Sequence, residues 1–175
     1  MKQSAPPDTT EVFQGDCNRR VHDIVARIPA RALTLAFIDP ENLRIDFETV
    51  RTLASAGRVD LLVLFADRMD IVRNVDLYER QTDSVLDRML GPKSSWRRDW
   101  QQLHNRTPGN ICKFFAEEYR TQLRQELNYK VLAEKEMHTA KGPLYRLIFA
   151  SKDSRGLDFW NKVTKKDRGG QEELF

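Results

Sequence analysis

The stretch that decides the fold is residues 33–40, which read Leu33-Thr34-Leu35-Ala36-Phe37-Ile38-Asp39-Pro40. It is a continuous apolar run that ends abruptly in an acid and a proline. Strands that are apolar on both faces are typical of a parallel sheet covered by helices. A second run of this type, residues 59–65, follows it along the chain. We therefore expect the two runs to form adjacent parallel strands in the centre of one sheet.

The segment between these strands, residues 43–57, has the pattern of a helix. Asp46 is suited to the N-cap and Gly57 follows the end of the apolar periodicity. The residues that share one face are Val50, Leu53 and Ala54. Strand, helix and strand joined by short loops predict a βαβ unit with a right-handed crossover.

A second strand-helix repeat is predicted upstream, with a short strand over residues 10–16 and a helix over residues 18–28. Downstream, periodicity predicts helices over residues 76–90 and 111–127. The remaining predicted elements are strands 129–136 and 144–150, paired as an antiparallel hairpin, and a short helix over residues 157–163. The fold class is thus α/β, with parallel strands, a terminal hairpin and helices on both faces. This order resembles the second half of a Rossmann-like S-adenosylmethionine-dependent methyltransferase.

Length and composition favour one cytoplasmic domain in a chain of 175 residues. We expect residues 10–166 to form it, with a disordered tail at 1–9 and a polar tail at 167–175. No apolar run is long enough to span a membrane, and the first residues lack a signal-peptide core. Two cysteines and three widely separated histidines offer neither a disulfide framework nor metal-ligand spacing.

Charge is unevenly distributed, since residues 1–90 carry a net charge of −3 and residues 91–175 a net charge of +6. A basic second half favours an anionic partner, although basic side chains also simply solvate helix faces. The residues that would contact nucleic acid are Lys93, Trp96, Arg97 and Arg98. Trp96 and Trp100 would share a helical face, either stacking on bases or anchoring a peripheral helix to the core.

Asp16 and Asp39 each follow a predicted strand, and ligands of open α/β sheets bind beyond the carboxyl ends of the strands. We expect both carboxylates to lie at one edge of the sheet, partly exposed. Each acid also has a structural alternative, as a helix cap for Asp16 and as a loop brace for Asp39. Cys17 beside Asp16 is either a reactive thiol at a helix N-terminus or a small filler.

Several dispersed motifs, in order and over nearly all of the chain from about residue 10, resemble the three-Cys-motif partner protein family. They are Gly15-Asp16-Cys17-Asn18, residues 37–47 (FIDPENLRIDF), residues 59–65, Leu90-Gly91 with Trp96, Tyr119-Arg120 with Leu127-Asn128-Tyr129, and residues 142–152 (GPLYRLIFASK) with Phe159-Trp160. The resemblance implies a Rossmann-type methyltransferase, encoded beside a protein with a three-cysteine motif, that uses S-adenosylmethionine. It places Asp39 and Pro40 near the transferred methyl group as the catalytic motif. It places Asp16, with Cys17 and Asn18, near the adenine ring of the cofactor.

The chain departs from this family in two ways. The family's glycine-rich cofactor loop and the second-strand acid for the ribose have no counterpart here, and Asp39-Pro40 continues into Glu41-Asn42 where the family has an aromatic residue and glycine. We therefore expect a truncated, methyltransferase-like chain that binds S-adenosylmethionine weakly or not at all. The alternative is a non-catalytic interaction or nucleic-acid-binding subunit that works with a separately encoded partner. An open sheet edge would permit homo-oligomers.

Overall fold

The strands of the computed structural model, which describes residues 10–40, 43–140 and 142–165, form one mixed sheet. They are β1 (Leu33–Ile38), β2 (Arg58–Phe65), β3 (Val131–Thr139) and β4 (Gly142–Ser151). Their spatial order is β1-β2-β4-β3. β1 and β2 are parallel, and β4 is antiparallel to both β2 and β3. The predicted parallel pair is confirmed, as is the hairpin that extends the sheet on the β2 side.

The helices fall close to the predicted segments, with one difference. They are α1 (Cys17–Arg27), α2 (Phe47–Ser55), α3 (Val72–Arg80), α4 (Val85–Leu90), α5 (Trp96–Gln102), α6 (Pro108–Leu127) and α7 (Arg155–Thr164), with a π-helical turn at Asp67–Ile71. The single helix predicted over residues 76–90 is two helices, α3 and α4. Asp83 between them has a φ of 55°, and Ser84 opens α4 with a capping box to Asp87. Such local hydrogen bonds start a new helix instead of continuing the old one.

One face of the sheet carries the core. Val59, Leu61, Val63 and Phe65 of β2 alternate towards this face and are at most 1% exposed. Phe65 stacks on Tyr119 of α6, with ring centroids 5.4 Å apart. Burial of these apolar side chains supplies the main driving force for folding.

The opposite face is only partly covered. Trp160 of α7 stacks on Phe149 of β4 at 5.4 Å, so helices lie on both faces as predicted. Leu33, Leu35 and Phe37 of β1, however, remain 78%, 50% and 59% exposed. β1 is the edge strand among the described residues, so the prediction that it is a central strand is wrong for this part of the chain.

The reason lies in residues 10–16, which were predicted to form a strand and do not. Residues 10–14 adopt no regular structure, and Val12 is 85% exposed. Gly15 has a φ of +123°, which breaks an extended course. Glu11 pairs with Arg27 of α1 at 3.2 Å, so the segment lies along the helix. The predicted tails at 1–9 and 167–175, and Glu41 and Asn42 of the motif, lie outside the described residues.

Candidate functional site

The carboxyl end of β1 opens onto a cavity of about 520 Å³. Asp39 follows β1 directly and is exposed, as predicted, and Asp39 and Pro40 both line the cavity. Cys17, the first residue of α1, lines it as well. The cavity lies between α1 and the free edge of β1. It therefore joins both residues of the predicted catalytic pair with one residue, Cys17, of the predicted cofactor set.

Asp16 does not follow a strand but opens α1 as its N-cap. Its side chain accepts a hydrogen bond from the backbone N–H of Asn18, with a donor-acceptor distance of 2.9 Å. This is the helix-capping alternative that the sequence left open for Asp16. The Asp16 side chain is exposed and lines a second cavity, of about 510 Å³, together with Arg88 and Asp46. Nε of Arg88 lies 3.4 Å from Oδ1 of Asp46.

Asn18 joins α1 to the start of α2. Its Oδ1 accepts hydrogen bonds from the backbone N–H of Asp46 at 3.0 Å and from the Thr49 hydroxyl at 2.7 Å. Its Nδ2 donates to the backbone carbonyl of Arg44 at 3.3 Å. Asp46 is the N-cap residue of α2, as predicted, but its own side chain makes no capping bond. Asn18 thus takes over part of the capping of α2, and its polar atoms are engaged in holding the two helices together.

The two cysteines lie in contrasting surroundings. Cys17 is exposed, whereas Cys112 of α6 is 1% exposed and donates its thiol to the buried Asp67. Burial, followed by the negative charge of Asp67, raises the pKa of Cys112 to about 12. Because the thiolate is the reactive form, Cys112 is protected both by packing and by protonation.

We expect one thiol to react in the native chain and two after unfolding. The measurement is the stoichiometry of an aromatic disulfide reagent at neutral pH, without and with a denaturant. The variant Cys17→Ser is the control, in which native reactivity disappears and one thiol remains after unfolding. Native reaction of Cys112 in that variant would contradict the described packing.

A charged cluster beyond the carboxyl end of β2 was not identified from the sequence. Asp67 is fully buried, and its Oδ2 lies 3.1 Å from Nε of Arg146 on β4. Nη1 of Arg146 donates to Glu134 at 2.7 Å, and its Nη2 lies 3.6 Å from Glu136. The signal was present, because Asp67 is an acid that follows a buried apolar run, as Asp39 does.

The charge of Asp67 in this cluster is balanced by Arg146 and by hydrogen bonds from the protein itself. Burial raises the pKa of Asp67, and the positive charge and hydrogen bond of Arg146 oppose that shift. The backbone N–H of Arg68 also donates to Asp67, at 2.8 Å. With its oxygens occupied by protein donors, Asp67 is placed to stabilise the fold and not to bind a ligand.

The basic tryptophan segment is bound into the protein surface. Trp96 is 2% exposed and donates its indole N–H to Asp87 at 2.8 Å, and Trp100 is 1% exposed. Arg97 makes hydrogen bonds to Asp87 and to three backbone carbonyls at the end of α3. Burial raises the pKa of Asp87, but hydrogen bonds from Arg97, Ser84 and Trp96 outweigh this effect and lower the pKa overall. This packing favours the anchoring alternative for both tryptophans.

The other two residues of the predicted nucleic-acid surface lie further out. Lys93 pairs with Glu126 at 2.8 Å, and Arg98 donates to Asp99 at 2.8 Å. The Lys93 side chain is 70% exposed and the Arg98 side chain 72%. The structure therefore does not gather Lys93, Trp96, Arg97 and Arg98 into a single exposed stacking surface.

The fold and site define an α/β protein with an open mixed sheet and a cavity beside its edge strand. Comparison with known protein families, with curated proteins and with solved structures gave no match. Within residues 10–40, 43–140 and 142–165, histidine, cysteine and acidic side chains form no group of three or more that is arranged to hold a metal ion. No helix in the same ranges is both long and apolar enough to cross a membrane.

Proposed function

We propose that the chain is a methyltransferase-like α/β scaffold, similar to the three-Cys-motif partner proteins, that serves as a non-catalytic interaction subunit. The observation that carries this proposal is the free edge of β1. At that edge the described sheet ends in a strand whose Leu33, Leu35 and Phe37 are at least half exposed, beside a cavity of about 520 Å³. Monomeric proteins protect their edge strands, so an uncovered apolar edge is typical of an interaction surface.

The strand order supports the methyltransferase-like part of the proposal. A parallel pair is followed along the chain by a hairpin, and the second hairpin strand lies between β2 and β3. That is the order that the sequence motifs lead us to expect for the second half of such an enzyme. Asp39 and Pro40 follow the carboxyl end of β1, which is where the resemblance leads us to expect the catalytic motif.

Two observations support the non-catalytic part. The sequence has no pair of glycines separated by a single residue, so it has no G-x-G-x-x-G loop for the methionine moiety of S-adenosylmethionine. Asp16 and Asn18, expected near the adenine, are engaged in capping α1 and in joining α1 to α2. Asp39 remains exposed and could orient an amine, but methyl transfer also needs a donor methyl held in line about 3–3.5 Å from the nucleophile.

Calorimetric titration of the purified chain with S-adenosylmethionine tests the proposal. Two missing anchor groups, at roughly 1.5–3 kcal/mol each, weaken binding by a few hundred-fold or more, so we expect no one-to-one binding in the micromolar range. Micromolar binding that Asp39→Asn weakens, and that the control Asp158→Asn on α7 leaves unchanged, would contradict it. The cavity lined by Cys17, Asp39 and Pro40 would then be the active site of an enzyme.

A further inference from the structure

We infer that the free edge of β1 pairs with β1 of a second copy of this chain, antiparallel, so that Leu35 lies opposite Leu35 of the second copy. The inference rests on the proposed function, because it names the partner of the interaction subunit. It follows from the self-complementary arrangement of apolar and charged side chains along residues 31–39.

The apolar side chains match in this register. With Leu35 at the twofold axis, Leu33 of each copy lies opposite Phe37 of the other, because the two residues are equally distant from Leu35. All three alternate onto the same face of the strand and are exposed in the single chain. Pairing therefore places an apolar neighbour beside each of these exposed side chains, and opposed apolar residues of this kind stabilise antiparallel strands.

The charges match in the same register. Arg31, in the turn that leads into β1, lies opposite Asp39 of the second copy, and Asp39 lies opposite Arg31 of the second copy. Both side chains are exposed, and within the described residues neither has an ionic partner of its own. A shift by two residues in either direction would separate both Arg-Asp pairs. The charges thus select one register.

The residues around the free edge of β1 are compatible with a second strand paired at that edge. The inner face of β1 carries the small residues Thr34 and Ala36, and these line the cavity together with Ile24 of α1. A twofold axis perpendicular to the sheet keeps both copies of α1 on the same side, where each would cover the strand of the other copy. Pro40, which has no N–H to donate, ends the pairing segment.

The interface is small, because the backbone pairing spans only about one short strand from each copy. Interfaces below about 1,000–1,200 Å² are weak, so we expect a dissociation constant on the order of micromolar. Sedimentation equilibrium from about 1 µM to a few hundred µM covers that range. A wild-type chain that stays monomeric throughout would overturn the inference.

The position of the interface is tested by matched substitutions of exposed leucines. Leu35→Asp places two carboxylates opposite each other and is expected to weaken the dimer by roughly a hundredfold or more. The control is Leu77→Asp on α3, where the leucine is 53% exposed against 50% for Leu35. We expect the control to dimerise like the wild type, and equal effects of the two substitutions would overturn the inference.

The register is tested by reversing charges. Arg31→Asp alone and Asp39→Arg alone each create two like-charged pairs, and each is expected to weaken the dimer roughly tenfold. An equimolar mixture of the two variants restores both opposite-charge pairs, so we expect heterodimers as tight as the wild-type dimer. A mixture no tighter than the separate variants would overturn the assigned register.

The test of the dimer and the test of the proposed function can fail independently. A monomer that does not bind S-adenosylmethionine would overturn the dimer and leave the interaction subunit in place. A dimer that binds S-adenosylmethionine with micromolar affinity would overturn the non-catalytic function and retain the dimer.

Discussion

Arg146→Met is expected to lower the free energy of unfolding by about 3–5 kcal/mol, because it leaves the buried carboxylate of Asp67 without its cation. Asp67 is fully buried, and Arg146 is 7% exposed. Their 3.1 Å ion pair lies beyond the carboxyl end of β2, where it joins β4 to the π-helical turn. Methionine retains much of the apolar stem of arginine, so the loss reports on charge more than on packing. Urea denaturation followed by circular dichroism measures it.

Two comparisons separate the charge effect from a general defect. The double variant Arg146→Met with Asp67→Asn removes both charges and is expected to be more stable than Arg146→Met alone. Arg155→Met breaks the exposed pair between Arg155 and Asp153 and is expected to change stability little. If the double variant were less stable than Arg146→Met alone, the cost would not arise from an uncompensated Asp67.

The same variant predicts a pH dependence. Burial already raises the pKa of Asp67 in the folded chain, and losing Arg146 removes the charge that opposes this shift. A carboxyl whose pKa is higher in the folded than in the unfolded state takes up a proton on folding, so its folded state gains stability as the pH falls. The stability deficit of Arg146→Met should therefore shrink as the pH falls from 7, through the raised pKa of Asp67, towards 3.8, the ordinary pKa of an aspartate.

Trp96→Ala is expected to lower the free energy of unfolding by about 3–5 kcal/mol, the usual cost of removing a buried tryptophan. The ring centroids of Trp96 and Phe115 are 5.6 Å apart. The Arg97 guanidinium lies over the Trp96 ring, with Cζ 4.6 Å from the ring centroid. The substitution also leaves Asp87 without the indole donor. Trp96→Phe keeps most of the packing and loses the hydrogen bond, so its expected cost is about 1–2 kcal/mol.

The control for Trp96 is Arg98→Ala on the same helix. Arg98 is 72% exposed, so we expect its removal to leave the unfolding transition unchanged. Fluorescence polarisation with a labelled single-stranded oligonucleotide supplies the second readout. If Trp96→Ala abolished oligonucleotide binding while the unfolding transition stayed at its wild-type position, the tryptophan would be a stacking residue and the anchoring interpretation would be wrong.

Much of the sheet could be predicted from the sequence because its signals are local. The apolar runs that became β1 and β2, the helical spacing between them and the turn signal around Gly142-Pro143 each report on a few neighbouring residues. The break at Asp83 was missed, since the apolar spacing continues across it and only the capping box of Ser84 interrupts the helix. The exposure of β1 was missed because an apolar run looks the same whether or not a neighbouring strand covers it.

In the candidate site, too, features fixed by local sequence could be predicted and features that depend on distant residues could not. Asp39 lies at the exposed carboxyl end of β1 because parallel topology fixes the position of that end. The roles of Asn18 and Asp67 depend on partners far away along the chain, at Asp46, Thr49 and Arg146, and no local pattern reveals such contacts. Asp67 would have been found by applying to β2 the argument that was applied to β1.

Hydrogen exchange of the backbone amides, with and without S-adenosylmethionine and at two protein concentrations, tests the central claim most directly. If the free edge of β1 pairs with β1 of a second copy, amides of residues 33–37 become more protected as the concentration rises, because strand pairing removes them from water. S-adenosylmethionine then changes protection nowhere. Protection of residues 16–18 and 39–40 by S-adenosylmethionine, with β1 indifferent to concentration, would contradict the account.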